Sequence, residues 1–335
     1  MIRHLLSLLL CISLYGCQKK QEINRSIYYW KTYFDPSNEE IQFLNQHQIN
    51  TLYLRFFDVK TENGTVVPVA KVRFSRPIPE EMKVIPVVYI TNESILKTPE
   101  NEIDTLALHI SDLMQELASG AGIRFIELQI DCDWTDQSKE KYFHLLKTLK
   151  SITHKNISAT IRLHQIKYQD KTGVPPIDKG MLMFYNMGNL RDIETRNSIF
   201  ESATAKKYLE RGLNYPLPLD LALACFQWEV VLRQGKVIAL LNETISTDLS
   251  KKHLIKINEE ISQVKTNFLH QGTWFQTGDI IRTEKSGYKE ISIAQELLKD
   301  RFHNTKFNLA IYHWHPQIFR ELTHEKTDRI YSALQ

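Results

Sequence analysis

Short apolar runs recur along the whole chain, and segments with helical periodicity separate them. The runs are rich in Ile, Val, Leu, Tyr and Phe, as strands of a sheet covered on both faces should be. Eight of them predict β-strands: Ile27–Trp30, Thr51–Phe57, Val84–Ile90, Arg124–Asp133, Ile157–Leu163, Met181–Met187, Leu221–Trp228 and Asn308–Trp314.

The intervening segments carry apolar residues at the spacing of amphipathic helices. One of them follows Thr98, a predicted N-cap, and stops before Gly120, a residue type common after helix ends. The predicted helices are Asn38–Gln48, Pro99–Ser119, Asp136–Thr153, Ile193–Glu210 and Gln317–Leu334. This alternation of strands and helices predicts a (β/α)8 TIM barrel of the α/β class, formed as a single domain over residues 26–335.

The connection after the seventh predicted strand is longer than one helix, whereas the connection after Leu163 reads as a loop. We predict an insertion at about residues 233–300. It would contain a helical stretch, Lys251–Phe268, and a hairpin, Thr273–Tyr288, with its turn at Thr277–Asp279. Such an insertion would lie over the C-terminal mouth of the barrel, where TIM-barrel enzymes build their sites.

The first residues have the pattern of a bacterial export signal. A short basic segment precedes the apolar run Leu5–Leu14, and Leu14–Cys17 resembles a lipobox, in which a signal peptidase cuts before the Cys and the Cys is lipidated. We therefore predict a signal peptide over residues 1–16, lipidation of Cys17 and a polar tether over residues 17–25. A plain secretory signal with an incidental Cys is the alternative.

No later segment reaches the roughly 18 apolar residues that a membrane-spanning helix needs. We therefore expect a lipid anchor to hold the protein at a membrane of the bacterial cell envelope, on a face that the sequence leaves open.

Composition narrows the class of protein. A hydrophobic fraction of 42% is typical of a globular domain, and a net charge of +3 gives no strong attraction to nucleic acid. We expect a monomer without a cofactor. Beyond the N-terminal region the remaining cysteines are Cys132 and Cys225, both in strand-like runs. They predict two buried thiols, with a disulfide as the alternative.

The fourth predicted strand carries the most unusual polar pattern. Because side chains alternate along a strand, Glu127, Gln129, Asp131 and Asp133 share one face, and Trp134 follows directly. Two carboxylates this close cannot both ionise cheaply, so one of them should have a raised pKa. The pattern predicts a site at this strand end, with a structural polar network as the alternative.

The other predicted strand ends are also polar and aromatic. Sugars stack their CH faces on Trp and Tyr, and their hydroxyls bind carboxylates, amides and Arg. A glycan or oligosaccharide is therefore the expected ligand, although such residues can also simply cap a barrel core. The predicted sugar-binding residues are Trp30, Arg55, Tyr89, Trp134, Arg162, Tyr185, Asn186, Trp228, Tyr312 and Trp314.

Three segments carry a resemblance to a known family. Ile130–Trp134 resembles the fourth-strand motif D-x-x-D-x-D-x-E of chitinase-like (family 18) glycoside hydrolases. Phe184–Gly188 is similar to the family's Tyr-Asp segment on the sixth strand, and Trp314 stands where the family keeps a Trp under the scissile sugar. The resemblance implies a glycosidase-like barrel that hydrolyses a glycan.

The departures from the motif bear on the chemistry. Leu128 replaces the first Asp, Thr135 replaces the Glu that protonates the leaving oxygen, and Asn186 replaces the sixth-strand Asp. A Thr hydroxyl is too weak an acid for this step. An enzyme therefore needs another acid, and the alternative is a carbohydrate-binding barrel without catalysis.

Two carboxylate arrangements remain for an enzyme. Asp133 is the predicted general acid/base, with Asp131 as the partner that tunes its pKa. Alternatively, Asp133 pairs with Glu229 at the end of the seventh strand, about 5 Å away, as in retaining glycosidases.

His313 and His315 would share a face of the eighth strand and could hold a metal, as in amidohydrolase barrels. We expect that they hold no metal and that their side chains bind a carboxylate or the substrate instead.

Overall fold

The computed structural model describes residues 21–192, 194–242, 245, 247–302 and 306–335. Its main sheet contains eight parallel strands that close into a barrel, because the first strand pairs with both the second and the eighth. The barrel strands are, in chain order, Glu22–Tyr29, Thr51–Glu62, Lys83–Ile90, Glu127–Asp131, Asn156–Arg162, Lys179–Met183, Leu219–Ala224 and Lys306–Tyr312. Each overlaps one predicted strand, and the predicted (β/α)8 barrel is confirmed.

Helices cover the outside of the barrel. They are Asn38–Gln46, Asn92–Lys97, Ile103–Gly120, Lys139–Thr153, Leu163–Lys167, Gln169–Thr172, Ser202–Leu209, Tyr288–Leu298, Pro316–Glu321 and His324–Ser332. Thr98 caps the end of one helix rather than the start of the next, since its N–H donates to the Ser94 carbonyl. The predicted loop after Leu163 is two short helices instead, and the predicted helix Ile193–Glu210 begins only at Ser202.

The lower end of the barrel is filled by a buried polar cluster. Lys179 Nζ lies 2.6 Å from Asp220 Oδ2 and 3.2 Å from Glu127 Oε2. Tyr53 and Asn308 also bind Asp220, at 3.1 Å and 3.2 Å. Because all five residues lie near the starts of their strands, this cluster closes the N-terminal end of the barrel.

The insertion after the seventh barrel strand is a small β-structure. Its antiparallel sheet contains Phe226–Arg233, Lys236–Leu241, Leu254–Lys256, Ile261–Val264 and Ile280–Ser286. A second hairpin, Phe268–His270 with Thr273–Phe275, and the helix Thr247–His253 pack against this sheet. The insertion predicted after the seventh strand is therefore present, and it begins at Phe226.

Three predictions within this region are wrong. The predicted strand Leu221–Trp228 is two strands, because the barrel strand ends at Ala224. Only the first three residues of the predicted helix Lys251–Phe268 are helical, and two short strands follow. Between these strands, Asn258 Oδ1 accepts the N–H groups of Glu260 and Ile261 and turns the chain. The predicted hairpin Thr273–Tyr288 does not form, because Ile280–Ser286 pairs with two other strands.

The first barrel strand begins at Glu22, within the predicted tether. The predicted signal peptide and Cys17 lie outside the described residues. Within the described part of the chain no helix is both long and apolar enough to cross a membrane. Cys132 and Cys225 are both buried free thiols, as predicted.

Candidate active site at the barrel mouth

Asp131 ends the fourth barrel strand and points into the barrel. Its side chain is buried, and Oδ1 accepts a hydrogen bond from Thr160 Oγ1 at 2.6 Å. Burial raises the pKa of Asp131 to about 6, the Arg162 cation opposes that rise, and the neighbouring Asp133 adds to it. A carboxyl with this pKa exchanges its proton close to neutral pH, as acid–base catalysis requires.

Asp133 lies two residues further on, in a different environment. It is half-exposed and pairs with Arg162, whose Nε donates to Oδ1 at 2.6 Å and whose Nη2 donates to Oδ2 at 3.4 Å. Arg162 also lies over the ring of Tyr185, 6.0 Å from its centroid. The structure therefore brings Asp131, Asp133, Arg162 and Tyr185 together at one side of the mouth.

Aromatic rings fill the centre of the mouth around Tyr312. Tyr185 stacks on Tyr312 with 5.1 Å between ring centroids, and Trp30 and Phe226 lie 5.6 Å and 5.7 Å from it. Burial raises the pKa of Tyr185 and of Tyr312 well above the usual value. Their hydroxyls therefore keep their protons, and the Tyr185 hydroxyl donates to Met183 Sδ at 3.1 Å.

The first three strands add polar groups beside these rings. Arg55 donates to both carboxylate oxygens of Asp58, at 2.7 Å and 2.5 Å, and lies 5.5 Å from the ring centroid of Trp30. Tyr89 makes an edge contact with Trp30 at 6.5 Å. Burial, helped by the charge of Asp131, raises the pKa of Tyr89 to about 12. Arg55, Tyr89 and Trp30, all predicted from the sequence, therefore lie at the same barrel mouth as the rings around Tyr312.

The insertion forms one wall of the mouth. Trp228 packs 5.3 Å from Phe226, and its Nε1 donates to Glu284 at 2.7 Å. Glu284 also accepts Arg282 Nε at 2.7 Å and the Ser198 backbone N–H at 2.9 Å. This buried group, the Glu284 cluster, joins the insertion to the loop after the sixth strand.

Phe226, Arg282 and Glu284 also belong to this wall and were not predicted from the sequence. The available signal was the pair Arg282 and Glu284, opposite charges two residues apart that share one face of an extended segment. Such a pair can form an internal ion pair instead of facing solvent.

Glu229 does not reach the mouth. Strand alternation puts it on the face opposite Trp228, beside Val231 in the insertion's own core. Its carboxylate accepts the Ile245 N–H at 3.2 Å, and burial raises its pKa. The structure therefore gives no support to the predicted pairing of Glu229 with Asp133.

The two tryptophans that follow strand ends are core residues. Trp134 is buried, stacks on Tyr142 at 5.2 Å, and donates from Nε1 to the Thr172 carbonyl at 2.9 Å. Trp314 is also buried, with its ring edge-on to Tyr29 at 5.3 Å. The prediction that Trp134 and Trp314 contact a sugar is wrong, because neither ring is accessible to a ligand.

A polar cleft opens between the ends of the fifth and sixth strands. It has a volume of about 280 Å³ and is lined by Arg162, His164, Tyr185, Asn186, Asn189 and Tyr208, among others. Asn186 is exposed and has a positive φ of 51°, which Asn tolerates better than most residues. Thr135, where the family motif has its Glu, is also exposed.

The His pair lies at the eighth strand end, with 6.0 Å between the ring centroids of His313 and His315. Burial, together with the nearby His315 and Lys31, lowers the pKa of His313 to about 4, so the ring is neutral at pH 7. In the described ranges no three His, Cys, Asp or Glu side chains are grouped so that they could hold a metal ion.

Comparison with solved structures identifies the architecture. A chitinase from Chromobacterium violaceum has a TM-score of 0.51 at 10% identity, covering 93% of this chain and 99% of that one. Ostrinia furnacalis Group IV chitinase has a TM-score of 0.51 at 10% identity, covering 93% and 100%. The spore cortex-lytic enzyme SleL of Bacillus megaterium has a TM-score of 0.50 at 14% identity, covering 90% and 73%.

No family model and no curated protein matches the sequence. The structural likeness therefore shows a chitinase-like barrel fold, at low identity, as the motif resemblance implied.

Proposed function

We propose that this protein is an envelope lipoprotein that hydrolyses a glycan at the mouth of its barrel. The observation that carries the proposal is the pairing of two unlike carboxylates, Asp131 and Asp133, beside a cluster of aromatic rings. Protein sites for sugars combine stacking surfaces with a few fixed polar groups, and this mouth has both. The chitinase-like fold supports the same substrate class.

Asp131 is the better proton donor of the two carboxyls. Its pKa of about 6 leaves part of the population protonated near neutral pH. Asp133 binds Arg162 through both oxygens and would orient the substrate or the leaving group instead. This assignment exchanges the roles that the sequence predicted, because burial falls on Asp131 rather than on Asp133.

The direct test is hydrolysis of a panel of oligosaccharides by wild type, Asp131→Asn and Asp133→Asn. General acid–base catalysis contributes about 10²–10⁴-fold to a rate, so we expect Asp131→Asn to lose at least about 100-fold. Release of reducing ends is the measurement, and the exposed Asp112→Asn is the control. Activity of Asp131→Asn equal to wild type would remove Asp131 from the mechanism.

A second candidate function is glycan binding without catalysis. The observation that favours it is Thr135, which stands where the family motif has its acid. Binding of an oligosaccharide with no product after days of incubation would decide for this alternative. In that case, Asp131→Asn would leave the slow background rate unchanged.

A further inference from the structure

The cleft between the fifth and sixth strand ends has an unusual charge balance for a sugar site. Arg162 supplies a cation whose Nε and Nη2 bind Asp133, and no Asp or Glu is among the described residues that line the cleft. His164 and the amides of Asn186 and Asn189 can add neutral hydrogen-bond donors. The lining therefore favours a ligand that accepts hydrogen bonds and carries negative charge.

A second cation lies at the rim of the cleft. Lys167 Nζ is 5.5 Å from the ring centroid of Tyr208, which lines the cleft, and donates to the Lys207 carbonyl at 3.0 Å. The Lys167 charge is therefore close to the cleft and is paired with a carbonyl rather than with a carboxylate. Its field adds to that of Arg162.

Asp133 does not saturate the Arg162 guanidinium. It accepts from Nε and Nη2, while the buried Nη1 has no hydrogen-bond partner among the described residues. A buried donor without an acceptor costs free energy, and a guanidinium prefers planar anionic groups such as carboxylates. An incoming carboxylate beside Arg162 would supply the missing acceptor.

The departures from the chitinase motif also favour an anionic ligand. Asn186 and Thr135 are both exposed, and each replaces an acidic residue of the motif. Each of these two positions therefore lacks an acidic side chain. Carboxylates at these positions would repel an anionic ligand, and their replacement removes that repulsion.

We propose that this cleft binds a sugar residue that carries a carboxylate group. The inference rests on the proposed function and narrows its substrate class from glycans in general to acidic glycans. The volume of about 280 Å³ accommodates one sugar ring with its substituents. Tyr208 supplies aromatic surface beside it, and Arg162 selects the acid.

The test uses the full, signal-processed protein in detergent and matched pairs of ligands. One pair is trigalacturonate with galactotriose, and the other is N-acetylglucosaminyl-N-acetylmuramic acid with diacetylchitobiose. Binding is measured by calorimetric titration at low and high salt. We expect the acidic member of at least one pair to bind at least about tenfold more tightly, and added salt to weaken that member selectively.

Asn186→Asp places a carboxylate in the cleft without changing the size or the backbone preference of the residue. We expect it to weaken binding of the acidic ligand at least about tenfold more than binding of the neutral ligand. Asn63→Asp is the matched control, because Asn63 is also exposed, with a φ of 49°, and follows the second strand across the barrel. This control should behave as wild type.

Equal affinity for the acidic and neutral members, or an Asn186→Asp variant that still prefers the acid, would overturn the inference and leave glycan binding intact. Binding of none of the four ligands would count against the acidic-sugar cleft. If hydrolysis of the wider oligosaccharide panel were also absent, the proposed function would fail with it.

Discussion

Asp131 and Asp133 show how strongly the environment of a single residue decides its chemistry. They are two residues apart on one strand end, yet one is buried and the other is half-exposed and ion-paired. Pairs of carboxyls with unlike environments are the usual arrangement in which one holds a proton while the other stays ionised. The raised pKa of Asp131 also affects folding.

Asp131 should make stability depend on pH. Its folded pKa of about 6 lies above the ordinary value of 3.8, so the native state holds the extra proton between about pH 4 and 6. Ionised Asp131 lowers the free energy of unfolding, and this effect is fully present above that pH range. It disappears as the pH falls through the range and Asp131 takes up its proton. We expect Asp131→Asn, which removes this cost, to raise the free energy of unfolding at pH 8 by up to about 3 kcal/mol.

Urea denaturation of both proteins at pH 4, 6 and 8 measures this difference. The increase in the free energy of unfolding that Asp131→Asn produces should shrink towards pH 4, because Asp131 becomes protonated in both the folded and the unfolded protein. Asp112→Asn, at an exposed helical position, should show no such trend. A gain of the same size at pH 4 and pH 8 would contradict the assigned pKa.

Residue-level prediction succeeded inside the strands and failed just beyond them. The two-residue alternation correctly put Asp131 inside the barrel. Trp134 and Trp314 come after the last strand residues, where the chain turns and alternation no longer fixes the side-chain direction. Their burial follows from ring packing with Tyr142 and Tyr29, which are distant in the sequence.

At the scale of elements, the Glu284 cluster connects two segments that are far apart in the chain. Arg282 Nη1 donates to the Asp192 carbonyl at 3.2 Å, and Nη2 donates to the Leu190 carbonyl at 3.3 Å. The loop itself folds back closely at Gly188, where a Cβ would lie 2.7 Å from the Ser198 Cα. The insertion and this loop therefore form one wall of the site.

Removal of Glu284 should loosen that wall. Taking one partner from a buried ion pair leaves an unpaired charge, so we expect Glu284→Ala to lower the free energy of unfolding by about 3–5 kcal/mol. The loop after the sixth strand should also become more sensitive to protease. Glu259→Ala, an exposed residue of the same insertion, is the control. Unchanged urea midpoints and cleavage rates for Glu284→Ala would show that the cluster does not hold the loop.

The barrel elements and the position of the insertion were predictable, whereas the strands inside the insertion were not, for a physical reason. Each barrel strand is a long apolar run buried on both sides, so its signal is local. The strands of the insertion are short, and their order depends on pairing between distant segments such as Phe226–Arg233 and Ile280–Ser286. Pairing between distant segments does not show in the local pattern of hydrophobic and polar residues.

At the scale of the whole molecule, the chain enters the barrel at the end opposite the site. Glu22 begins the first strand, whereas Asp131 and Tyr312 lie at the C-terminal ends of theirs. If Cys17 is lipidated, the few residues between it and Glu22 span at most about 20 Å. That arrangement would put the closed end of the barrel towards the membrane and its mouth away from it.

Cys17→Ser tests the anchor. We expect the wild-type protein to sediment with membranes and to be extracted only by detergent. The reason is that more than one acyl chain on a protein gives stable membrane anchoring. The variant should pass to the soluble fraction. Cys11→Ser changes a cysteine outside the lipobox and should remain with the membranes. Membrane retention of Cys17→Ser from which the signal peptide has been removed would contradict the predicted lipoprotein.

The buried cluster of Lys179, Glu127 and Asp220 has a consequence for how a polymer could be handled. It plugs the barrel at its lower end, and the stacked rings of Tyr28 and Tyr53, 4.7 Å apart, fill the space above it. A glycan strand therefore cannot be threaded through the molecule. Under the proposed function, a glycan would lie across the mouth, and each fragment would leave by the side from which the chain arrived.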